Sequence, residues 1–446
     1  MDAERLANVL WGWPTMAIFM GVGLIYTLRL KFLPLRKLPQ ALRLIRPGGA
    51  KEGISPYAAL CTALAATIGT GNIVGVATAL AAGGPGALLW MLLAAVLGMG
   101  TQYAEGYLGA KYRLRSGNDN YGGPFCYIRH GLGAKFGWLA KGYALVGAAV
   151  GLLGVGTVTQ VNSITSAAEG VFQASAQISL FGENYTLAAL LCGLGVTAAA
   201  TAVLLGGAKR ITKICQALVP VMSALYLLCC AWILLRCANR IPAAIRLIVH
   251  SAFAPKAALG AAAGIGIKEV LRMGIGRGVY TNEAGLGTAA IAAAASDERS
   301  PHRQGLVSMT GTFIDTIVIC TVSGLCLVVT DAWNMPLEGV GITDYAWRSA
   351  LPFPSEISSV LLFVCLSCFA FATVIGWNFY AEACLRYLVG ERKLPQRLYR
   401  MAYLLVIGLS PLISVRSAWA TADILNVLMA APNLLALFLL RKKIHR

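Results

Sequence analysis

The sequence predicts an all-α polytopic membrane protein with about 11 transmembrane helices. Three observations carry that prediction. Only 13% of the 446 residues are charged and 57% are hydrophobic, against roughly 25% charged in a soluble globular chain. The mean hydropathy is +0.68. Apolar runs of about 20 residues, each long enough to cross a hydrocarbon core of roughly 30 Å as a helix, recur from end to end. Lipid offers the backbone no hydrogen bonds, so repeated runs of this kind mean a helical bundle.

Hydropathy places the first six spans at Trp13–Leu28, Tyr57–Leu80, Ala87–Leu108, Gly142–Gln173, Leu187–Gly206 and Ile214–Leu235. The remaining five fall at Ala257–Ala295, Gly305–Thr330, Ile357–Tyr380, Met401–Ser414 and Ala422–Leu440. Lys and Arg concentrate in alternate connections, from Arg36 to Lys51, Lys111 to Lys141, Lys209 to Lys213, Arg386 to Arg400 and Arg441 to Arg446. The stretches Ala174–Thr186 and Asp331–Glu356 carry Arg348 alone. The positive-inside rule then places the N-terminus outside and the C-terminus in the cytoplasm of a multi-pass cell (plasma or inner) membrane protein. One loop disagrees, with Arg236, Arg240 and Arg246 on the outer side.

The formal charge of +18 therefore reads as a topology signal. No basic stripe interleaved with aromatics marks a nucleic-acid groove, so the expected environment is the lipid bilayer and no nucleic acid. His130, His302 and His445 fall in loops and His250 near a span end, which argues against haem ligation. No cluster of nucleophile and base suggests an enzyme. A pore remains open at this point, because broken helices also build channels.

Two spans depart from a smooth apolar helix. The first contains Ile68-Gly69-Thr70-Gly71-Asn72, and each glycine costs a helix about 1 kcal/mol. The second reads Arg272-Met273-Gly274-Ile275-Gly276-Arg277-Gly278 and continues Thr281-Asn282-Glu283-Ala284-Gly285. These segments open consecutive five-span blocks, and an odd number of spans inverts the second block. Paired interruptions at corresponding positions point to the binding site of a transporter. The expected division is 1–52 for an extra N-terminal helix and basic cytoplasmic loop, 53–240 for the first repeat and 241–446 for the inverted second.

At these motifs the chain resembles the alanine or glycine:cation symporters (the sodium:alanine symporter family). The resemblance rests on Ile68-Gly-Thr-Gly-Asn-Ile-Val-Gly-Val-Ala-Thr-Ala79 with Gly83-Gly-Pro-Gly-Ala87, and on Gly122-Gly-Pro124 with Gly131-Leu-Gly133. Arg277-Gly-Val-Tyr-Thr-Asn-Glu-Ala-Gly285 and Ile375-Gly-Trp377 with Glu382 complete it. It implies a leucine-transporter-like fold of inverted five-helix repeats, each with a discontinuous first helix, plus one extra N-terminal helix. It also implies symport of a small neutral amino acid, alanine and/or glycine, with sodium as the coupling ion. A proton-coupled carrier, or a broader one taking serine or glutamine, is the alternative.

A free amino acid presents a carboxylate and an ammonium. Unwinding at Thr70, Gly71 and Asn72 exposes N–H groups at the start of a half-helix, which favour the carboxylate. Unpaired carbonyls, those near Gly276 among them, suit the ammonium and a cation. The resemblance adds Gln160, Thr373 and Trp377 to the cavity. Sequence alone leaves open that Gln160 joins helices and Trp377 packs. The resemblance further places sodium between the carbonyls of Ala65, Ile68 and Phe369 and the Thr373 hydroxyl. Ala372 stands where the family usually has a serine, which removes one oxygen. For the intramembrane charges Asp315, Glu269, Arg272, Arg277 and Glu283, Arg–Glu pairing and a proton relay both stand. Glu105, near a span end, is expected to face headgroups.

Overall fold

The computed structural model describes residues 3–46, 53–116, 119–172, 176–180, 183–254 and 266–445. Lys51 of the first basic loop and residues 257–265 of the expected seventh span lie outside them. The principal helices are α1 (Trp13–Arg29), α2 (Pro56–Thr67), α3 (Val76–Gly83), α4 (Gly86–Lys111), α5 (Gly137–Leu153), α6 (Val158–Val171) and α7 (Leu187–Leu204). They continue with α8 (Gly207–Arg236), α9 (Ile267–Asn282), α10 (Thr288–Ala295), α11 (Pro301–Val329), α12 (Ser355–Val389), α13 (Lys393–Leu409) and α14 (Val415–Leu440). Two small hairpins, Leu114–Ser116 with Asp119–Tyr121 and Gln177–Leu180 with Glu183–Thr186, add to the all-α expectation.

Seven helices among the described residues are long and apolar enough to cross a bilayer, or eight with the bent pair that includes α2. The expected 11 exceeds that count at three places. α1 and α13 are each 17 residues long, and α9 carries Lys268, Glu269, Arg272 and Arg277. The expected span Gly142–Gln173 falls in one candidate span, Ala134–Val171, which is interrupted where α5 ends at Leu153 and α6 begins at Val158.

Helix α2 starts where its sequence says it should. Ser55 accepts a hydrogen bond from the Ala58 N–H, and Pro56 takes the first helical position, where a missing N–H costs nothing. It stops at Thr67, and the chain resumes as a π-helical turn, Gly71–Gly75, running into α3 at 53° to α2. The first interruption thus stands where Gly69-Thr-Gly71 predicts it.

The second does not. α9 runs unbroken through Gly274, Gly276 and Gly278, and the break comes at Glu283–Gly287, between α9 and α10. Packing explains the difference. A Cβ on Gly274 would lie 2.5 Å from the Ala87 carbonyl oxygen, and one on Gly278 would lie 3.3 Å from Met91. Those glycines let α9 lie close on α4. The break takes the left-handed backbone instead, with φ of 55° at Glu283, 104° at Gly285 and 88° at Gly287.

Gly274→Ala should therefore cost about 1–3 kcal/mol through overpacking, read as a lowered unfolding midpoint in detergent. Gly142→Ala, with no atom within 4 Å of its Cβ position, should leave the midpoint unchanged. Equal midpoints would contradict the close α9–α4 contact.

Candidate functional site

The first break strands N–H and C=O groups in a region fully removed from water, since residues 68–77 are all buried. Buried side chains take them up. The Gly69 N–H donates to Asn72 Oδ1 at 3.0 Å, and the Thr70 N–H donates to Gln160 Oε1 on α6 at 3.2 Å. A Cβ on Gly69 would lie 2.4 Å from Thr373 Oγ1 and 3.1 Å from Gln160 Oε1. Only glycine lets α2, α6 and α12 meet here. The Thr70 hydroxyl is buried without a hydrogen-bond partner.

Asn72 also ties the break to α11. Its Nδ2 donates to Asp315 Oδ1 at 2.7 Å, and the other Asp315 oxygen accepts from the Thr316 hydroxyl at 2.6 Å. Thr316 Oγ1 in turn accepts from Asn282 Nδ2 at 3.2 Å and lies 3.3 Å from the Thr281 hydroxyl. One polar chain thus runs from the first break to the end of α9. Gln102 closes it from α4, donating to the Asn282 carbonyl at 2.7 Å while accepting from the Thr312 N–H at 3.2 Å.

The oxygens expected around a cation partly converge. Thr373 Oγ1 lies 3.1 Å from the Ala65 carbonyl oxygen and 3.2 Å from that of Phe369, and it can donate to either. This is a donor set of oxygens alone on two helices, which fits a hard monovalent ion. Ile68 is buried at the break, and Ala372 is buried beside Thr373 without an oxygen to add. Trp377 is fully buried, and its indole N–H donates to Glu283 Oε1 at 2.9 Å. Gly276 is not brought to the break. It lies inside α9 with Trp11 as its neighbour, and α9 meets Gly71 at Tyr280 and Thr281 instead.

Glu105 is the largest revision. It faces no headgroups. It is buried in the second break, where its Oε1 accepts from the Gly285 N–H at 3.0 Å, the Gly287 N–H at 3.1 Å and Asn433 Nδ2 at 2.8 Å. Asn433 also donates to the Gly285 carbonyl at 2.8 Å and accepts from the Tyr127 hydroxyl. The Arg–Glu pairing expected around α9 holds for Arg272 with Glu269, at 2.7 Å. Arg277 faces Asp423 at 3.9 Å, and Glu283 turns to Trp377. No spacing signal marks this break, since Gly274-Ile-Gly276 and Gly276-Arg-Gly278 share the Gly-x-Gly spacing of Gly285-Leu-Gly287 and stay helical.

Cavities open at both ends of the broken span. One of about 1080 Å³ is lined by Val74, Thr78, Arg277, Trp333, Glu338 and Trp419. The Arg277 guanidinium lies 4.9 Å from the Trp419 ring centre in its wall. The other, of about 350 Å³, is lined by Gly53, Tyr121, Lys209, Glu382, Arg386 and Lys393. Beside it Arg400 holds Glu382 in a two-pronged pair at 2.8 and 2.9 Å. Arg113, at the start of the neighbouring hairpin, donates to the Ser296 and Glu298 carbonyls between α10 and α11, and burial pulls its guanidinium below the ordinary value.

A family model described as the sodium:alanine symporter family matches residues 3–446. The chain belongs to that family. It is 47% identical over 445 residues to an uncharacterized transporter of Haemophilus influenzae, covering 99% of this chain and 93% of that one. It is 40% identical over 458 residues to the sodium/alanine symporter AgcS of Methanococcus maripaludis, covering 99% and 95%. It is 33% identical over 440 residues to the probable sodium/glutamine symporter GlnT of Bacillus subtilis, covering 98% and 87%. As a member of the sodium:alanine symporter family with several bilayer-length helices, it is a multi-pass membrane transporter.

For this symporter-family chain, Gly69→Ala should abolish transport, because its Cβ displaces Thr373 and Gln160. Gly75→Ala, which meets no atom within 4 Å, should retain it. Uptake per folded protein in proteoliposomes reads both. Full activity of Gly69→Ala would show that the close approach is dispensable.

Proposed function

We propose that the protein imports a small neutral amino acid, alanine and/or glycine, by sodium symport through alternating access. The observation that carries this reading is the first break, where two buried backbone N–H groups are held by neutral amides beside an oxygen-only cluster. The substrate carboxylate is a stronger acceptor than either amide oxygen. It takes the N–H groups of Gly69 and Thr70 and releases Asn72 Oδ1 and Gln160 Oε1 toward the ammonium. Thr70, Gly71 and Asn72 bound the carboxylate end, and Gln160, Thr373 and Trp377 bound the rest. A side chain larger than a methyl would meet this packed wall.

Sodium is carried as co-substrate by the carbonyls of Ala65, Ile68 and Phe369 and by Thr373 Oγ1. Its site shares Thr373 with the substrate wall, so ion and amino acid stabilise each other. Reciprocal coupling of this kind is ordinarily worth about 1–3 kcal/mol. The paired Gly-x-Gly breaks support the reading of residues 53–240 and 241–446 as inverted five-helix repeats of the leucine-transporter type, after an extra N-terminal helix. Under that reading the 1080 Å³ cavity is the outer vestibule, the N-terminus is outside and the C-terminus is cytoplasmic. A broader neutral amino acid carrier is the second reading, favoured by the glutamine named for one relative.

Labelled alanine uptake into proteoliposomes tests the proposal, first with a sodium gradient and then with a proton gradient alone. Sodium-dependent accumulation is expected. Thr373→Ala should raise the half-saturating sodium concentration about tenfold, which corresponds to about 1.4 kcal/mol of lost binding. Ala372→Ser, which restores a hydroxyl, should lower it. Accumulation driven by protons alone would overturn sodium coupling, and accumulation of glutamine in preference to alanine would favour the second reading.

A further inference from the structure

The second break holds two buried carboxylates and no base. Glu105 and Glu283 are both fully buried, and in each the Oε2 atom has no hydrogen-bond partner. The ionisable side chains that face the pair are Tyr26, Tyr127, Tyr143, Tyr280, Tyr380 and Asp315, all of them acids. Among the described residues no Lys, Arg or His pairs with either carboxylate. Glu105 takes the N–H groups of Gly285 and Gly287, just after Glu283 in the chain, and like charges buried in one low-dielectric break disfavour each other's ionisation.

Hydrogen bonds decide which one is neutral. Glu105 Oε1 accepts three N–H donors, an arrangement that stabilises a carboxylate. Those donors present positive ends and leave no ring of oxygens, so they also disfavour a metal ion. Asp315 accepts two side-chain donors. Glu283 accepts the Trp377 indole N–H, with the Thr288 side chain as its other polar neighbour, and so has fewer donors than Glu105. Its backbone is left-handed at φ 55°, a conformation that a non-glycine residue holds at a cost and that concentrates at functional positions.

We propose that Glu283 is a proton-binding site of the transport machinery, carrying its proton on Oε2 while Glu105 stays ionised. The other oxygen of the same carboxyl, Oε1, accepts from the Trp377 indole, which joins the group to the wall proposed for the amino acid site. Losing it places a second negative charge against Glu105 at the break, which drives the two apart and moves the indole. Transport is therefore strongest where Glu283 is protonated and falls as pH rises through its titration. This goes beyond the symport reading, and it names a proton without making that proton the coupling ion.

Infrared spectroscopy of the purified protein reads the bound proton directly, whether or not alanine is the cargo. A carboxylic-acid C=O band that shifts in D₂O should be present near neutral pH and be absent in E283Q. Glutamine keeps an oxygen for the Trp377 indole and mimics the protonated form. In E105Q the like charge is gone, so the band should titrate away at lower pH, a result that does not require Glu283 to be changed. In parallel, sodium-driven alanine uptake should fall about fivefold or more with rising pH, the ordinary scale of coupling between sites. E283Q should stay flat. A band that survives in E283Q, or an E283Q pH response identical to that of the unmodified protein, would overturn the proposal.

Discussion

A helix broken inside a membrane exposes backbone groups that lipid cannot satisfy, at several kcal/mol for each one left unpaired. Everything else at this site follows from meeting that requirement twice. At the first break Asn72 and Gln160 supply amide oxygens to the N–H groups of Gly69 and Thr70. At the second, Glu105 supplies a carboxylate oxygen to those of Gly285 and Gly287. The difference in chemistry separates the two roles. Neutral amides can be exchanged for a ligand's carboxylate, whereas a buried carboxylate holding three donors is an anchor.

The two breaks are also joined. Asn72, Asp315, Thr316 and Asn282 form one hydrogen-bonded chain between them, and Trp377 links the second break to the helix that carries Thr373. A ligand that recruits Asn72 therefore disturbs groups that also set the end of α9. That is the physical form coupling takes in a packed, water-free interior, where a polar group released from one partner must find another. Cavities lie at either end of the broken span.

Much of this was legible in the sequence, and the failures have physical causes. Gly69-Thr-Gly71-Asn72 located the first break because two glycines around a threonine weaken the helix and the adjacent asparagine can take up a freed N–H. The same reasoning misplaced the second break. Gly274 and Gly278 serve close packing on α4, and composition cannot distinguish a glycine that packs from one that turns. Glu105 was misread from its place near a span end, since its partner Asn433 lies 328 residues away. Thr373 over the Ala65 carbonyl came from family resemblance, because no spacing rule brings those two positions together. Gly276 followed from the misplaced break and went with it.

The central claim is that backbone N–H groups held by Asn72 and Gln160 are surrendered to a substrate carboxylate. The most direct test is calorimetric titration of the purified protein in sodium with alanine, and separately with alaninamide, which keeps the ammonium and the methyl but lacks the carboxylate. The account predicts saturable binding of alanine and none of alaninamide over the same range. Comparable binding of both would contradict it and would place the recognition of substrate away from the break.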